Sequence, residues 1–518
     1  MKAKTVGDVI EQRAKLHPDR LASVYHDRRT SYRALDEYSN QVANRFYDCG
    51  VSRGDRVGYL GKNTDAFFEI FFGAAKSGVV LSTLNWRLAA PEIDFIVRDS
   101  GLKLLFAGAE FAPVLRDCAS IDECGVSVVF LEAGHGEGFA HWRASGARNS
   151  PAVSIDPDDV CVLMYTSGTT GHPKGVLITH RNFLAQRHAE EMLGGWALWA
   201  DGEVNLVSMP VFHIGGSGWG FLAYYNGATN IIHETPDAPR ILEDIAVHGI
   251  TRMFIVPTVL QQIVQLARTA SIDLSSMRCV VYGASPISPD LLKTALAYFD
   301  CEFVQQYGMT EATGAATFLP PGDHDVAGNA RMLSCGIPFP GIEIRIVDEN
   351  RRALAAGAIG EIAIKSPAMM AGYWNRELQT AEVLQDGWYF SGDVGFLDSD
   401  GYLFLVDRKS DMIISGGENV YPAEVERALA AYPHIKEIAV IGAPSEKWGE
   451  EVKAVIVCKP GAEFATADLV AYARQHLAGY KIPKSVDFVE ALPRNASGKI
   501  LKRELKARYW KNAGRRVN

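Results

Sequence analysis

A two-part α/β fold is predicted for this chain: a large N-terminal domain of α/β subdomains plus a β-rich subdomain, followed by a small α+β C-terminal domain. Three observations carry that prediction. Up to about residue 335, short apolar runs alternate with helical stretches, the pattern of parallel strands joined by crossover helices. Beyond it, runs alternate polar and apolar residues, as half-buried antiparallel strands do. From Arg408 onward, helical and strand patterns mix over about 110 residues, enough for a separate small domain. The border is expected at 407/408, giving domains 1–407 and 408–518.

Thr5 to Pro18 reads as a helix, with Val6, Val9, Ile10 and Ala14 along one face. Arg53-Gly-Asp-Arg-Val-Gly-Tyr-Leu-Gly leads into a strand, and a helix follows through Phe71 and Ala75. Further strands are expected at 103–106, 126–131, 160–165, 229–232 and 279–282, mostly parallel. Glu343-Ile-Arg-Ile-Val-Asp, Gly360-Glu-Ile-Ala-Ile-Lys and Tyr402-Leu-Phe-Leu-Val-Asp form the alternating set, punctuated by Gly and Pro.

Composition excludes several classes. The 518 residues are 47% hydrophobic and 22% charged, which is globular and not disordered. There are 52 basic and 61 acidic side chains, a net −9, so wrapping nucleic acid through phosphate contacts is not expected. The eight cysteines are scattered without CxxC spacing, which argues against a disulfide framework or structural zinc and suits a reducing cytoplasm. The first residues lack a signal-peptide core. The apolar stretch 67–84 is broken by Glu69 and Lys76, so no transmembrane span is expected. The last twenty residues carry eight basic and one acidic residue, a net +7 that leaves −16 for the rest. This tail reads either as a solvated helix or as an attractor of a polyanionic cosubstrate or an anionic membrane surface.

The strongest chemical signal is Tyr165-Thr-Ser-Gly-Thr-Thr-Gly-His-Pro-Lys-Gly175, directly after an apolar strand. Thr166, Ser167, Thr169 and Thr170 offer hydroxyls, Gly168 and its fellow glycines free the backbone N–H groups, and Lys174 adds a charge. That set suits a polyphosphate. It is not a Walker A loop, because Pro173 precedes the lysine and Gly175 follows it.

This loop resembles the phosphate-binding motif of the acyl-adenylate-forming enzymes, which include acyl-CoA synthetases, luciferases and the adenylation domains of peptide synthetases. The family's other motifs follow in order from about Thr5 to Leu505. Gln305-Gln-Tyr-Gly-Met-Thr-Glu311 resembles the adenylate motif, which implies Tyr307 stacked on adenine, Thr310 on the α-phosphate and Glu311 on Mg²⁺. Gly283, Ala284 and Ser285 are then a backbone wall around adenine and the acyl carboxylate. Asp393, in Tyr389-Phe-Ser-Gly-Asp393, matches the ribose-gripping residue, and Arg408 a second ribose and phosphate contact. Lys499, in Pro493-Arg-Asn-Ala-Ser-Gly-Lys499, matches the catalytic lysine that would bridge the two reacting anions. Ser415, Gly416 and Gly417 match the loop lining the CoA channel. At the hinge, where the family usually carries Asp or Lys, this chain has Ser410.

The resemblance implies a mobile C-terminal domain and an ATP-dependent acyl-CoA synthetase. ATP and CoA would be cosubstrates and Mg²⁺ the cofactor, in a cytoplasmic monomer or homodimer. The acyl pocket is expected at His213, Gly215, Gly283 and Gln306, with no cation in Pro210–Trp219 to hold a dicarboxylate. A medium- or long-chain fatty acid is the expected substrate. The alternatives are an aryl or alicyclic acid, a carrier-protein-loading ligase, a luciferase-like oxygenase and a non-catalytic ATP-binding module. Gln306 stands where many relatives carry glycine, and would shorten or cap the pocket.

Overall fold

The computed structural model describes residues 3–134, 138–166, 173–267, 272–409, 411–415, 418–445, 447–494 and 500–510. Two compact units emerge: Met1–Ile344 with Ile364–Tyr389, and Arg345–Ala363 with Phe390–Asn518. This division falls before the 407/408 border read from the sequence. The strand Leu403–Arg408 pairs antiparallel with the segment around Asp393, and that ladder keeps the β-rich stretch with the small unit.

The large unit begins with the helix Val6–Leu16. Thr5 accepts from Asp8 N, and Asp8 accepts from Thr5 N, a capping box that fixes its start. Val6, Val9 and Ile10 are buried. The helix Asp65–Ser77 is buried on every side and carries Phe67, Phe68, Phe71 and Phe72. These rings meet Phe183, Phe221 and Tyr224 edge-on, a geometry that aligns ring edges with ring faces. The two charges that broke this apolar run are both paired. Glu69 accepts from Arg143 at 2.5 Å, and Lys76 donates to Asp36 Oδ1 at 2.5 Å and Asn40 Oδ1 at 2.7 Å.

Two sheets carry the unit. The first orders its described strands as Gly372–Tyr373, Lys174–Thr179, Val160–Thr166, Val80–Leu84, Arg56–Leu60, Leu102–Ala107 and Ser127–Phe130. The second runs Ile337–Pro338, Gly314–Leu319, Glu302–Met309, Cys279–Gly283, Arg252–Ile255, Val204–Val207, Thr229–Ile232, Leu21–Tyr25 and Arg28–Ser31. Most neighbours are parallel; the exceptions lie towards the edges, at 160–166 with 174–179 and 302–309 with 314–319 among others.

The small unit has its own core. Ile435–Ser445 pairs antiparallel with Gly449–Cys458, and its side chains alternate between faces. Val440 joins Val425, Leu429, Val452 and Leu469 on one face. Ala439 and Ile441 join Val455, Leu492 and Leu505 on the other. The helices Pro422–Ala430 and Thr466–His476 supply the first face, and Lys502–Trp510 the second. All eight cysteines are free thiols. Among the described residues, no helix is long and apolar enough to cross a membrane.

Candidate active site

Four strands of the second sheet lie side by side and parallel: Val204–Val207, Arg252–Ile255, Cys279–Gly283 and Glu302–Met309. Ligands of open α/β sheets bind beyond the carboxyl ends of such strands. Here the chain leaving those ends delivers His213, the turn at Gly283–Ser285, and Tyr307–Glu311.

Close backbone approach fixes two of these positions as glycine. Gly283 stands opposite Gln306, and a Cβ there would lie 2.3 Å from Gln306 O. A Cβ on Gly308 would lie 1.9 Å from Gly314 O. Ala284 then takes φ +66°, a left-handed conformation costly for any residue with a Cβ, and so turns the chain away from its strand. Ser285 follows, half-buried. Tyr307 is buried opposite Thr317. Thr310 and Glu311 form the start of a tight turn, Thr310–Ala312, anchored where Thr313 Oγ1 donates to Ala368 O at 2.7 Å.

The hydroxyl-rich segment joins two antiparallel strands, and Thr166 pairs directly with Lys174. Lys174 opens a strand, not a helix, so this is no Walker arrangement. Ser167, Gly168, Thr169 and Thr170 lie outside the described residues. Lys174 Nζ sits 5.2 Å from the centroid of the Tyr373 ring. Tyr373 donates to Glu311 Oε1 at 2.9 Å, and its hydroxyl lies 3.5 Å from that of Tyr389. Tyr373 therefore links the phosphate-motif lysine to the carboxylate of the adenylate motif. Burial, reinforced by the Glu311 charge, pushes its phenol pKa up and keeps it a neutral donor.

Sequence reasoning missed Tyr373. Its strand is two residues long and pairs with Val176 and Leu177. The aromatic pair Tyr373-Trp374 was the available signal. A brace on the same side was also missed: Asp99 accepts from Tyr165 at 2.7 Å, from Arg376 at 3.1 Å and, through its carbonyl, from Trp374 Nε1 at 2.8 Å.

His213 precedes the helix Ile214–Asn226 and packs on Phe212, with ring centroids 4.6 Å apart. Its Nε2 is buried without a hydrogen-bond partner among the described residues. Burial, with Arg87 nearby, lowers its pKa to about 4, so the ring is neutral at pH 7. A neutral, unsatisfied imidazole nitrogen is the kind of buried polar atom that a ligand completes. At Gly215 a Cβ would come 3.0 Å from Phe254 Cε1. At Gly216 it would come 2.2 Å from Pro210 O, so this glycine serves close packing.

In the small unit, Asp393 stands opposite Arg408, whose Nε lies 3.2 Å from Asp393 Oδ1. Asp407 is buried; it accepts from Ala423 N at 2.7 Å and from Arg408 N at 2.8 Å, and burial raises its pKa. Ser415 is buried opposite Gly449 and Glu418. Ser410, Gly416, Gly417 and Lys499 lie outside the described residues. The flanks of Lys499 are described: Arg494 and Ile500 form an antiparallel bridge, and Leu501 N donates to Pro493 O at 2.8 Å. Arg494 pairs with Glu437 at 3.2 Å.

Parallel strand ends, a lysine beside a tyrosine-held carboxylate and an unsatisfied histidine are the features of an α/β enzyme that binds an anionic ligand. Residues 10–374 match the AMP-binding enzyme family, and residues 424–499 match the AMP-binding enzyme C-terminal domain. The chain is 41% identical to a fatty acid–[acyl-carrier-protein] ligase of Streptomyces coeruleorubidus, covering 98% of this chain and 96% of that one. It is 39% identical to a feruloyl-CoA synthase of an Amycolatopsis species, over 98% and 100%. Among solved structures, the o-succinylbenzoate CoA synthetase of Bacillus subtilis with ATP and magnesium ion superposes with a TM-score of 0.84, at 30% identity over 96% of this chain and 99% of that one. The chain belongs to the AMP-binding enzyme family, in its acyl-CoA synthetase branch. It is an AMP-forming acid–thiol ligase.

Proposed function

We propose that the enzyme joins a carboxylic acid to ATP, giving an acyl adenylate and pyrophosphate, and then passes the acyl group to the thiol of coenzyme A with release of AMP. The Lys174–Tyr373–Glu311 cluster beside the parallel strand ends carries this reading. A carboxylate is a poor electrophile, and adenylation supplies it with a leaving group.

In this reading Tyr307 stacks on adenine against the wall made by Gly283, Ala284 and Ser285. Thr166 to Thr170 and Lys174 hold the outer phosphates, and Thr310 donates to the α-phosphate. Asp393 accepts from the ribose hydroxyls, with Arg408 beside it. Glu311 is suited to Mg²⁺, because this cation is commonly held by one or two carboxylates and otherwise by phosphate oxygens and water. When bound, it neutralises phosphate charge. Lys499 brings the acid and the α-phosphate into line. Rotation about 407–411 then withdraws it and admits the thiol along Ser415–Gly417. The basic tail favours the phosphates of CoA, or an anionic membrane surface.

For the acid, a medium- or long-chain fatty acid is the first reading and an aryl or alicyclic acid the second. Gln306 lines a cavity of about 10 Å³ with Trp196, Trp199 and Trp219, room for about one water and not for an acyl group. For the acceptor, the carrier-protein ligase among the relatives keeps a phosphopantetheinyl protein as the second reading.

A panel of carboxylic acids tests both points, scored by ATP–pyrophosphate exchange and by CoA-dependent AMP release. Exchange and release with medium- or long-chain fatty acids is the expected result, and with ring acids alone the second reading takes its place. Exchange without CoA-dependent release transfers the acceptor role to a carrier protein. No exchange with any acid overturns the ligase reading.

A further inference from the structure

The two motifs of the proposed reaction belong to different sheets. Lys174 opens a strand of the first, and Glu311 stands in the turn that follows a strand of the second. One segment, 368–374, is bonded to both. Near its start, Ala368 O accepts from Thr313 Oγ1 at 2.7 Å, and Met370 N donates to the backbone carbonyl of Glu311 at 2.8 Å. Near its end, Ala371 N donates to Leu177 O at 2.9 Å and Trp374 N to Gly175 O at 2.8 Å, on either side of the register pair Tyr373 and Val176.

Further ties hold this strap. Asn182 Nδ2 donates to Met369 O at 2.8 Å, Tyr373 N to Thr380 Oγ1 at 2.9 Å, and Trp374 Nε1 to Asp99 O at 2.8 Å. Tyr373 is only 7% exposed. It is thereby held with its hydroxyl 2.9 Å from Glu311 Oε1 and its ring centroid 5.2 Å from Lys174 Nζ.

A carboxylate that is to take a cation gains twice from a phenol. Glutamate has several rotatable bonds, and a hydrogen bond made beforehand removes part of the entropy that ordering would cost. The phenol is also uncharged. Unlike an ammonium or guanidinium donor, it restrains one oxygen without cancelling the negative charge. Among the described residues, no group of three or more His, Cys, Asp or Glu side chains gathers into a metal cage. Glu311 therefore suits a cation that takes its remaining ligands from phosphate and water, which is the habit of Mg²⁺.

We infer that Tyr373 is a positioning residue: the strap fixes its phenol, and the phenol fixes the Glu311 carboxylate for the Mg²⁺ that enters with ATP. This rests on the reading of Glu311 as the magnesium ligand and adds what aims it.

ATP binding to the full chain, measured by calorimetry with no acid present, tests it. The quantity read is the magnesium gain, the ratio of the Kd for ATP in EDTA to that in excess Mg²⁺; it needs no turnover. Tyr373→Phe keeps the ring beside Lys174 and every backbone tie but removes the donor. Its gain is expected to fall below the parent's by about tenfold or more, the loss typical when the partner of a metal-ligating group is removed. A Tyr373→Phe chain with the parent's gain overturns the inference. So does one whose affinity falls equally with and without magnesium, the result a merely structural role would produce. Should Tyr373→Phe not fold, Tyr373→4-fluorophenylalanine fills the place of the hydroxyl without donating and is read in the same way. Glu311→Gln separates the two levels. If it abolishes the gain while Tyr373→Phe keeps it, only the positioning role falls; if it keeps the full gain, the magnesium reading of Glu311 falls and this inference falls with it.

Discussion

The two units solve different problems with different materials. In the large unit the proposed nucleotide and acyl contacts stand at the ends of buried parallel strands, backed by a helix whose every residue is buried. In the small unit the described ones, Asp393 and Arg408, face each other across an antiparallel strand pair, and the flanks of Lys499 are tied by a bridge, a backbone hydrogen bond and an ion pair. The contrast teaches where precision is stored: in the large unit it comes from packing, and in the small unit from a few polar ties.

The sharpest way to break that comparison is Lys499→Ala. Adenylation is expected to fall by at least about 10²-fold, as for loss of a preorganised charge contact at a reacting centre. Thioester formation from supplied acyl adenylate should survive. Equal loss of both half-reactions, measured separately, would erase the division of labour between the units.

A packing test comes next. Phe72→Ala removes a ring that has no exposed surface and meets Phe221 and Tyr224 at 6.4 and 5.5 Å. Its cost should be about 3–5 kcal/mol, and Leu505→Ala in the small unit about 2–4 kcal/mol. Hydrogen exchange should place each loss in its own unit; a loss shared equally by both would show that they do not fold as separate cores.

Acid should act on the large unit. His180 accepts from Val6 N at 3.2 Å and, like His213, is held neutral by burial, with a pKa lowered to about 4. The unfolded chain binds protons on both from about pH 6.5, the ordinary histidine range, so their contribution is complete above it and is lost as pH falls towards 4. Each is worth on the order of 3 kcal/mol at most. Urea unfolding of His180→Asn between pH 7 and 4 should show a shallower pH slope than the parent; an unchanged slope would remove this histidine from the account.

The smallest expected effect is also the most specific. Gln306→Gly opens the wall of the acyl cavity and should shift the acid profile towards longer or bulkier acids by about 3- to 10-fold in relative kcat/KM. An unaltered profile would mean that Gln306 does not bound the acyl pocket.

Legibility in the sequence followed the same divide. Strands 160–166, 229–232 and 279–283 were readable because buried strands write continuous apolar runs. Helix Val6–Leu16 was readable from its period. The hairpin of Leu21–Tyr25 and Arg28–Ser31 was not, since its second strand has mainly charged and hydroxyl side chains. Tyr373 was invisible for another reason: its bond to Glu311 spans 62 positions, and no local pattern encodes a partner that far away. The unit border was displaced because a cross-strand ladder, not the hydropathy of either segment, decides with which core the β-rich stretch travels.

The facing of Thr166 and Lys174 has a consequence for how the protein withstands damage. The chain between them leaves from a strand of seven residues and returns into one of six, and the two strands are zipped together. A protease cut between Thr166 and Lys174 would sever the covalent link yet leave both strands hydrogen-bonded in place. A nicked enzyme that melts like the intact one but no longer retains nucleotide would separate the anion grip from the architecture that presents it.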